Sequence, residues 1–153
     1  MRLIPWRRPT EFFTQEEKEN ILAAVRAAER LTSGEIRVFV ESRCRYVDAL
    51  DRAADLFFRL GMEKTEDRNA VLLYLAVRDR QVAVFGDEGI HRRVGADYWK
   101  KIVGDILAHF NRDHYAEGVR QSVMQIGEAL RQHFPFDNDT DKNELPDDIV
   151  FGK

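Results

Sequence analysis

Apolar positions recur along this chain in two periods, and the switches between them outline a fold. Ile21, Leu22, Val25, Ala28 and Leu31 repeat at helical spacing behind Thr14-Gln15-Glu16-Glu17, where Thr14 can cap the helix and Glu17 can reach back to it. This predicts a first helix ending near Thr32-Ser33-Gly34. From Glu35 to Glu41 the period drops to two, with Ile36, Val38 and Val40 on one face of a strand. Leu50, Ala53, Leu56, Phe57 and Leu60 restore the helical period between Asp48 and Gly61, and Gly61 suits the end of that helix.

The stretch from Asp67 to Gly89 carries the most information. Ala70 to Val77 is a continuous apolar run, as in a strand buried on both faces, and Gln81 to Phe85 half-alternates. Arg78-Asp79-Arg80 between them predicts a hairpin loop. Strand, helix, strand makes a right-handed βαβ unit with parallel strands, and the hairpin adds an antiparallel third strand. Two further stripes follow: Trp99, Ile102, Val103, Ile106, Leu107 and Phe110, then Val119, Val123, Ile126, Leu130 and Phe134. These helices suffice to cover both faces of a small mixed sheet, which predicts a three-layer α/β/α sandwich. The expected domain is 14–136, with 1–13 as an N-terminal extension and 137–153 as an acidic tail.

At 153 residues the chain suits one domain, and its 44% hydrophobic and 33% charged residues are an ordinary globular mixture. A net charge of -3 gives no basic field for nucleic acid. The lone Cys44 supports neither a disulfide framework nor a zinc site. The start of the chain does not read as a secretory signal, and the longest apolar run falls far short of the ~20 residues of a membrane span. The expectation is a soluble, cytoplasmic protein.

Strand direction sharpens the search for a site. The starts of strands one and two and the end of strand three share one sheet edge, so Ser33-Gly34-Glu35, Asp67-Arg68-Asn69 and Gly86-Asp87-Glu88 should converge. Glu35, Asp67, Asp87 and Glu88 are hard oxygen ligands suited to Ca²⁺, or to Mg²⁺, while Arg68 offers neutralisation without metal. At the opposite edge, Glu41-Ser42-Arg43 and Arg78-Asp79-Arg80 occupy the usual ligand position of open α/β sheets, and a solvated hairpin tip is expected there. A second, weaker cation loop is Asp137, Asp139, Asp141, Asn143 and Asp148 in EF-hand-like spacing, with Lys142 where that loop has Gly. Ile149-Val150-Phe151 could fold back as an added edge strand. His91, His109, His114 and His133 stand singly, without metal-ligand spacing.

Thr32-Ser33-Gly34-Glu35-Ile36-Arg37-Val38, Asp67-Arg68-Asn69-Ala70-Val71-Leu72-Leu73-Tyr74, Asp79-Arg80 and Gly86-Asp87-Glu88-Gly89-Ile90, in this order, resemble the TPM domain in its short bacterial form without signal peptide or membrane anchor. Asn143-Glu144-Leu145-Pro146-Asp147 extends the likeness toward the C-terminus. The resemblance implies an α/β/α sandwich, calcium binding, a protein-interaction or stress and repair role with an unidentified protein partner, and acid-phosphatase-like activity. Hydrolysis would make this a low-activity, metal-dependent phosphatase, with Glu35, Asp67 and Asp87 around a divalent ion and Arg68 clamping phosphate. No P-loop, Cys-x5-Arg or Ser/His/Asp order supports hydrolysis over ion binding, so divalent-cation binding is the primary expectation.

Overall fold

A computed structural model describes residues 12–110, 114–136 and 149–152. Thr14 closes a full capping box at the start of α1 (Gln15–Glu29): its hydroxyl accepts from the Glu17 amide at 3.1 Å, and the Glu17 carboxylate accepts from the Thr14 amide at 2.8 Å. β1 (Glu35–Glu41) leads into α2 (Ala49–Arg59), capped by the Asp48 carboxylate on the Leu50 amide. Gly61 follows with φ +70°, the left-handed conformation that stops a helix cheaply. β2 (Ala70–Ala76) and β3 (Gln81–Gly86) form the expected hairpin. Beyond it come α3 (Glu88–Val94), α4 (Ala96–Phe110), α5 (Tyr115–His133) and β4 (Val150–Phe151).

The sheet order is β3-β2-β1-β4. β1 and β2 are parallel, from Glu35 opposite Ala70 to Glu41 opposite Ala76. β3 runs antiparallel to β2, and β4 lies parallel to β1 with Phe39 opposite Val150. The Ile149-Val150-Phe151 segment thus supplies an edge strand.

Alternation along the strands divides the core. Ile36, Val38, Val40, Val71, Leu73, Leu75, Val82 and Val84 pack with apolar residues of α1, α4 and α5, including Ile21, Ile106 and Ile126. Phe39, Leu72, Tyr74 and Ala83 face α2 through Ala53, Leu56 and Phe57. All seven residues of β2 are buried, as its unbroken apolar run predicts. Each large apolar side chain so buried contributes about 1.5–3 kcal/mol, which ties the central strand to both helical layers. The three-layer sandwich is the observed architecture. α3 is the element that periodicity misses, since it presents little apolar surface and Ile90 is its buried residue.

Candidate functional site

The edge where the sequence places its site is built by backbone bonds between β2 and the end of β3. The Asp87 amide donates to the Ala70 carbonyl at 2.9 Å, and the Gly89 amide donates to the Arg68 carbonyl at 2.8 Å. Arg68 adopts φ +50°, an uncommon conformation for a residue with a side chain. A Cβ on Gly89 would stand 2.2 Å from the Asp67 carbonyl oxygen and 2.6 Å from that of Arg68. Only glycine fits there, and the two loops interlock because of it.

Within this frame Asp87 is buried, its side chain 3% exposed, and Arg68 meets it with two parallel hydrogen bonds. Arg68 Nε donates to Oδ2 at 2.6 Å and Nη2 donates to Oδ1 at 2.8 Å, the bidentate geometry that favours arginine over lysine. Asp87 Oδ1 also accepts from the Glu88 amide at 2.8 Å, capping α3. Glu88, half exposed, reaches the same guanidinium at 3.5 Å and Arg92 at 3.8 Å. The hydrogen bonds that Arg68 donates to Asp87 hold its pKa above its ordinary value.

The three predicted loops do meet, but in two pairs. Asn69 Nδ2 donates to Ser33 Oγ at 3.1 Å, tying the first loop to the second, while Arg68 ties the second to the third. Asn69 is 1% exposed, and its Oδ1 is buried without a hydrogen-bond partner among the described residues. Glu35 is buried at the start of β1, on the register line that runs through Ala70 to Asp87. Two strand spacings, about 10 Å, therefore separate the Glu35 and Asp87 backbones. Asp67 is exposed and contributes its carbonyl, not its carboxylate, to the Gly89 contact. Among the described residues, no three His, Cys, Asp or Glu side chains form a group able to hold a metal ion. The oxygens at the edge nearest a shared position are the Asp87 and Glu88 carboxylates, both on Arg68. Asp137, Asp139, Asp141, Asn143 and Asp148 lie outside the described residues.

The opposite edge is a brace. Glu41, buried at the end of β1, receives Arg52 Nε at 3.0 Å and Nη2 at 3.1 Å, and also the Tyr74 hydroxyl. Burial first, and the bond to Glu41 second, push the Tyr74 phenol above its ordinary pKa. Asp79, expected at a solvated tip, accepts from the Cys44 amide at 2.8 Å.

An element absent from the sequence reading is a groove of about 630 Å³ along the outer side of β3, between α2 and α4. Arg68, Asp87 and Glu88 close one end, and His91 joins them, its Nδ1 accepting from Trp99 Nε1 at 3.0 Å. No local pattern marks this groove, because its walls come from segments far apart in sequence.

Residues 7–129 match the TPM domain family. The chain belongs to that family. Its fold matches the solution structure of BA42 from the psychrophilic bacterium Bizionia argentinensis with a TM-score of 0.84 and 39% identity, over 93% of this chain and 97% of that one. Two more distant structures share the TPM fold. An N-terminal domain from P. gingivalis has 20% identity and a TM-score of 0.70, over 84% of each chain. The N-terminal domain of cg2496 from Corynebacterium glutamicum has 16% identity and a TM-score of 0.63, over 79% of this chain and 76% of that one. No curated protein matches the chain. Among the described residues of this TPM domain, no helix is long and apolar enough to cross a membrane.

Proposed function

We propose that this TPM domain binds a divalent cation, Ca²⁺ in preference to Mg²⁺, at the β2–β3 edge in competition with Arg68. One observation carries the reading: a buried carboxylate, Asp87, is balanced by a guanidinium whose own side chain is 36% exposed. Arg68 also neutralises Glu88. Withdrawal of that one side chain leaves two adjacent carboxylates and the carbonyl-rich Asp67–Arg68 turn without a counter-charge, which a hard cation resolves through oxygen ligands. Ca²⁺ is favoured because it accepts irregular ligand sets, whereas Mg²⁺ demands a near-octahedral one. Glu35 and Asp67, two of the four carboxylates expected from sequence, have no direct ligand role in this reading.

Hydrolysis of phosphomonoesters finds less support. It needs cationic groups free for the phosphoryl oxygens, and Arg68 is engaged by both carboxylates. Cys44 lies beyond the other end of β1, away from this edge.

Backbone amide shifts during Ca²⁺ and Mg²⁺ titrations test the proposal. Saturable shifts centred on residues 67–69 and 86–89 support it. Titrations that leave those amides unmoved, or shifts confined to 137–148, contradict it.

A further inference from the structure

The groove along β3 has walls that are already built. On one side Leu50 and Phe58 of α2 are 47% and 50% exposed, and the Phe58 ring meets Phe85 edge to face with 5.9 Å between centroids. On the other side stand Trp99 and Val103 of α4. The Trp99 indole is held by its bond to His91 Nδ1 and lies against Gly86, where a Cβ would come within 2.4 Å of it. β3 closes the groove from beneath: Val82 and Val84 are 8% and 2% exposed, so an occupant meets side chains rather than free backbone. Val82 to Gly86 give the groove a length of about 17 Å. Its volume of about 630 Å³ then leaves a mean section of about 40 Å², room for one slender body.

Two polar groups beside Trp99 break this apolar lining. Lys100, the next residue of α4, lines the groove, is exposed, and has no ion-pair partner among the described residues. His91 accepts at Nδ1 from the indole, which can only donate, so its neutral ring carries the proton on Nε2 and keeps a donor to offer. Asp87 and Glu88, also in the lining, are answered by Arg68 and leave the Lys100 ammonium free. One positive charge and one neutral donor suit a carboxylate with its two oxygens. A phosphate dianion would bring a second negative charge up to Asp87 and Glu88. We infer that the groove binds an aliphatic monocarboxylate, a medium-chain fatty acid, with its carboxylate at Lys100 and His91 and its chain along β3 between Phe58 and Trp99. Apolar contact along the preformed walls supplies the affinity, and the two polar groups fix the direction of the chain.

Titration of the full chain with decanoate, decan-1-ol and acetate, in chelator so that bound cations play no part, tests this. The Trp99 indole resonance and the amides of Val82 to Gly86 report binding. Decanoate should shift them saturably and bind at least about ten-fold more tightly than decan-1-ol, the loss expected when a bond to a charged group is removed, while acetate should not saturate. Lys100→Glu should weaken decanoate by at least about ten-fold and leave decan-1-ol unchanged, whereas Phe58→Glu should weaken both. Both positions are exposed, and far-UV circular dichroism establishes that each variant is folded. Decanoate that leaves the groove resonances unmoved overturns the proposal. So does equal affinity for acid and alcohol, which marks a groove for neutral ligands, acetate that binds as tightly as decanoate, or a Lys100→Glu variant that binds decanoate as wild type does.

Discussion

Arg68 Nε lies 2.6 Å from Asp87 Oδ2, and this contact joins the two ends of the β2–β3 hairpin through side chains nineteen positions apart in sequence. The surroundings of the pair dictate its geometry. The left-handed turn at Arg68 directs its carbonyl to the Gly89 amide, while Asp87 caps the helix that Gly89 enters.

That interlock predicts opposite outcomes for two helical glycines. Gly104, exposed in α4, has open space around the position of a Cβ, so Gly104→Ala should stabilise the protein by about 0.5–1 kcal/mol through helix propensity. Gly89→Ala, in α3, drives a methyl into two backbone carbonyl oxygens and should destabilise by about 1–3 kcal/mol. Urea unfolding of the two variants checks both signs.

The brace at the other edge makes a prediction in pH. Burial and the bond to Glu41 raise the folded-state pKa of Tyr74 above its unfolded value near 10. The neutral phenol is thus favoured by folding: its contribution is fully present below pH ~10 and declines as pH rises from there toward the folded pKa. Tyr74→Phe should cost about 1.5–3 kcal/mol at neutral pH, the range for a hydrogen bond to a charged group. The gap between wild type and variant should stay constant from neutrality to pH ~9 and narrow above pH ~10. Urea unfolding of both proteins across that range checks this, and a gap that widens above pH ~10 would contradict it.

A third prediction concerns the exposed face of α5. Two guanidinium bonds from Arg120, at 2.6 and 3.0 Å, and one from Gln121 lower the Glu117 pKa to about 2. Carbon-detected titration should find Glu117 ionising well below ordinary glutamates, and Arg120→Ala should return it toward the ordinary range. Because the folded pKa is depressed, any stability it confers is present above pH ~4.5 and lost as pH falls toward 2.

Much of the fold was legible in local patterns because its signals are local. Thr14 with Glu17, Asp48 before an amphipathic run, and the apolar block Ala70–Val77 each determine their own element within a few residues. α3 was not legible, since Gly86-Asp87-Glu88-Gly89 has the composition of an acidic turn and a seven-residue helix with one buried side chain leaves no period to detect. The site was half legible. Strand directions sufficed to bring Ser33, Arg68, Asn69 and Asp87 to one edge, but which partner each takes depends on side-chain faces. Glu35 was grouped with Asp87 by strand end alone, whereas the sheet register interposes Ala70. The β3 groove depends on α2 and α4 lying on opposite faces of the sheet, and only the assembled chain specifies that.

Arg68 decides the central claim, because it is the cation that a bound ion must replace. Calcium titration of Arg68→Gln beside wild type, followed by the Gly86–Gly89 amides and by melting temperature, is the most direct measurement. If the edge is a cation site held shut by Arg68, the variant is destabilised without calcium, binds it more tightly than wild type, and recovers stability as RT ln(1 + [L]/Kd), about 2.7 kcal/mol at a 100-fold excess over Kd. A variant that loses stability and regains none of it at any calcium concentration would contradict the account, leaving Arg68 and Asp87 as a structural ion pair.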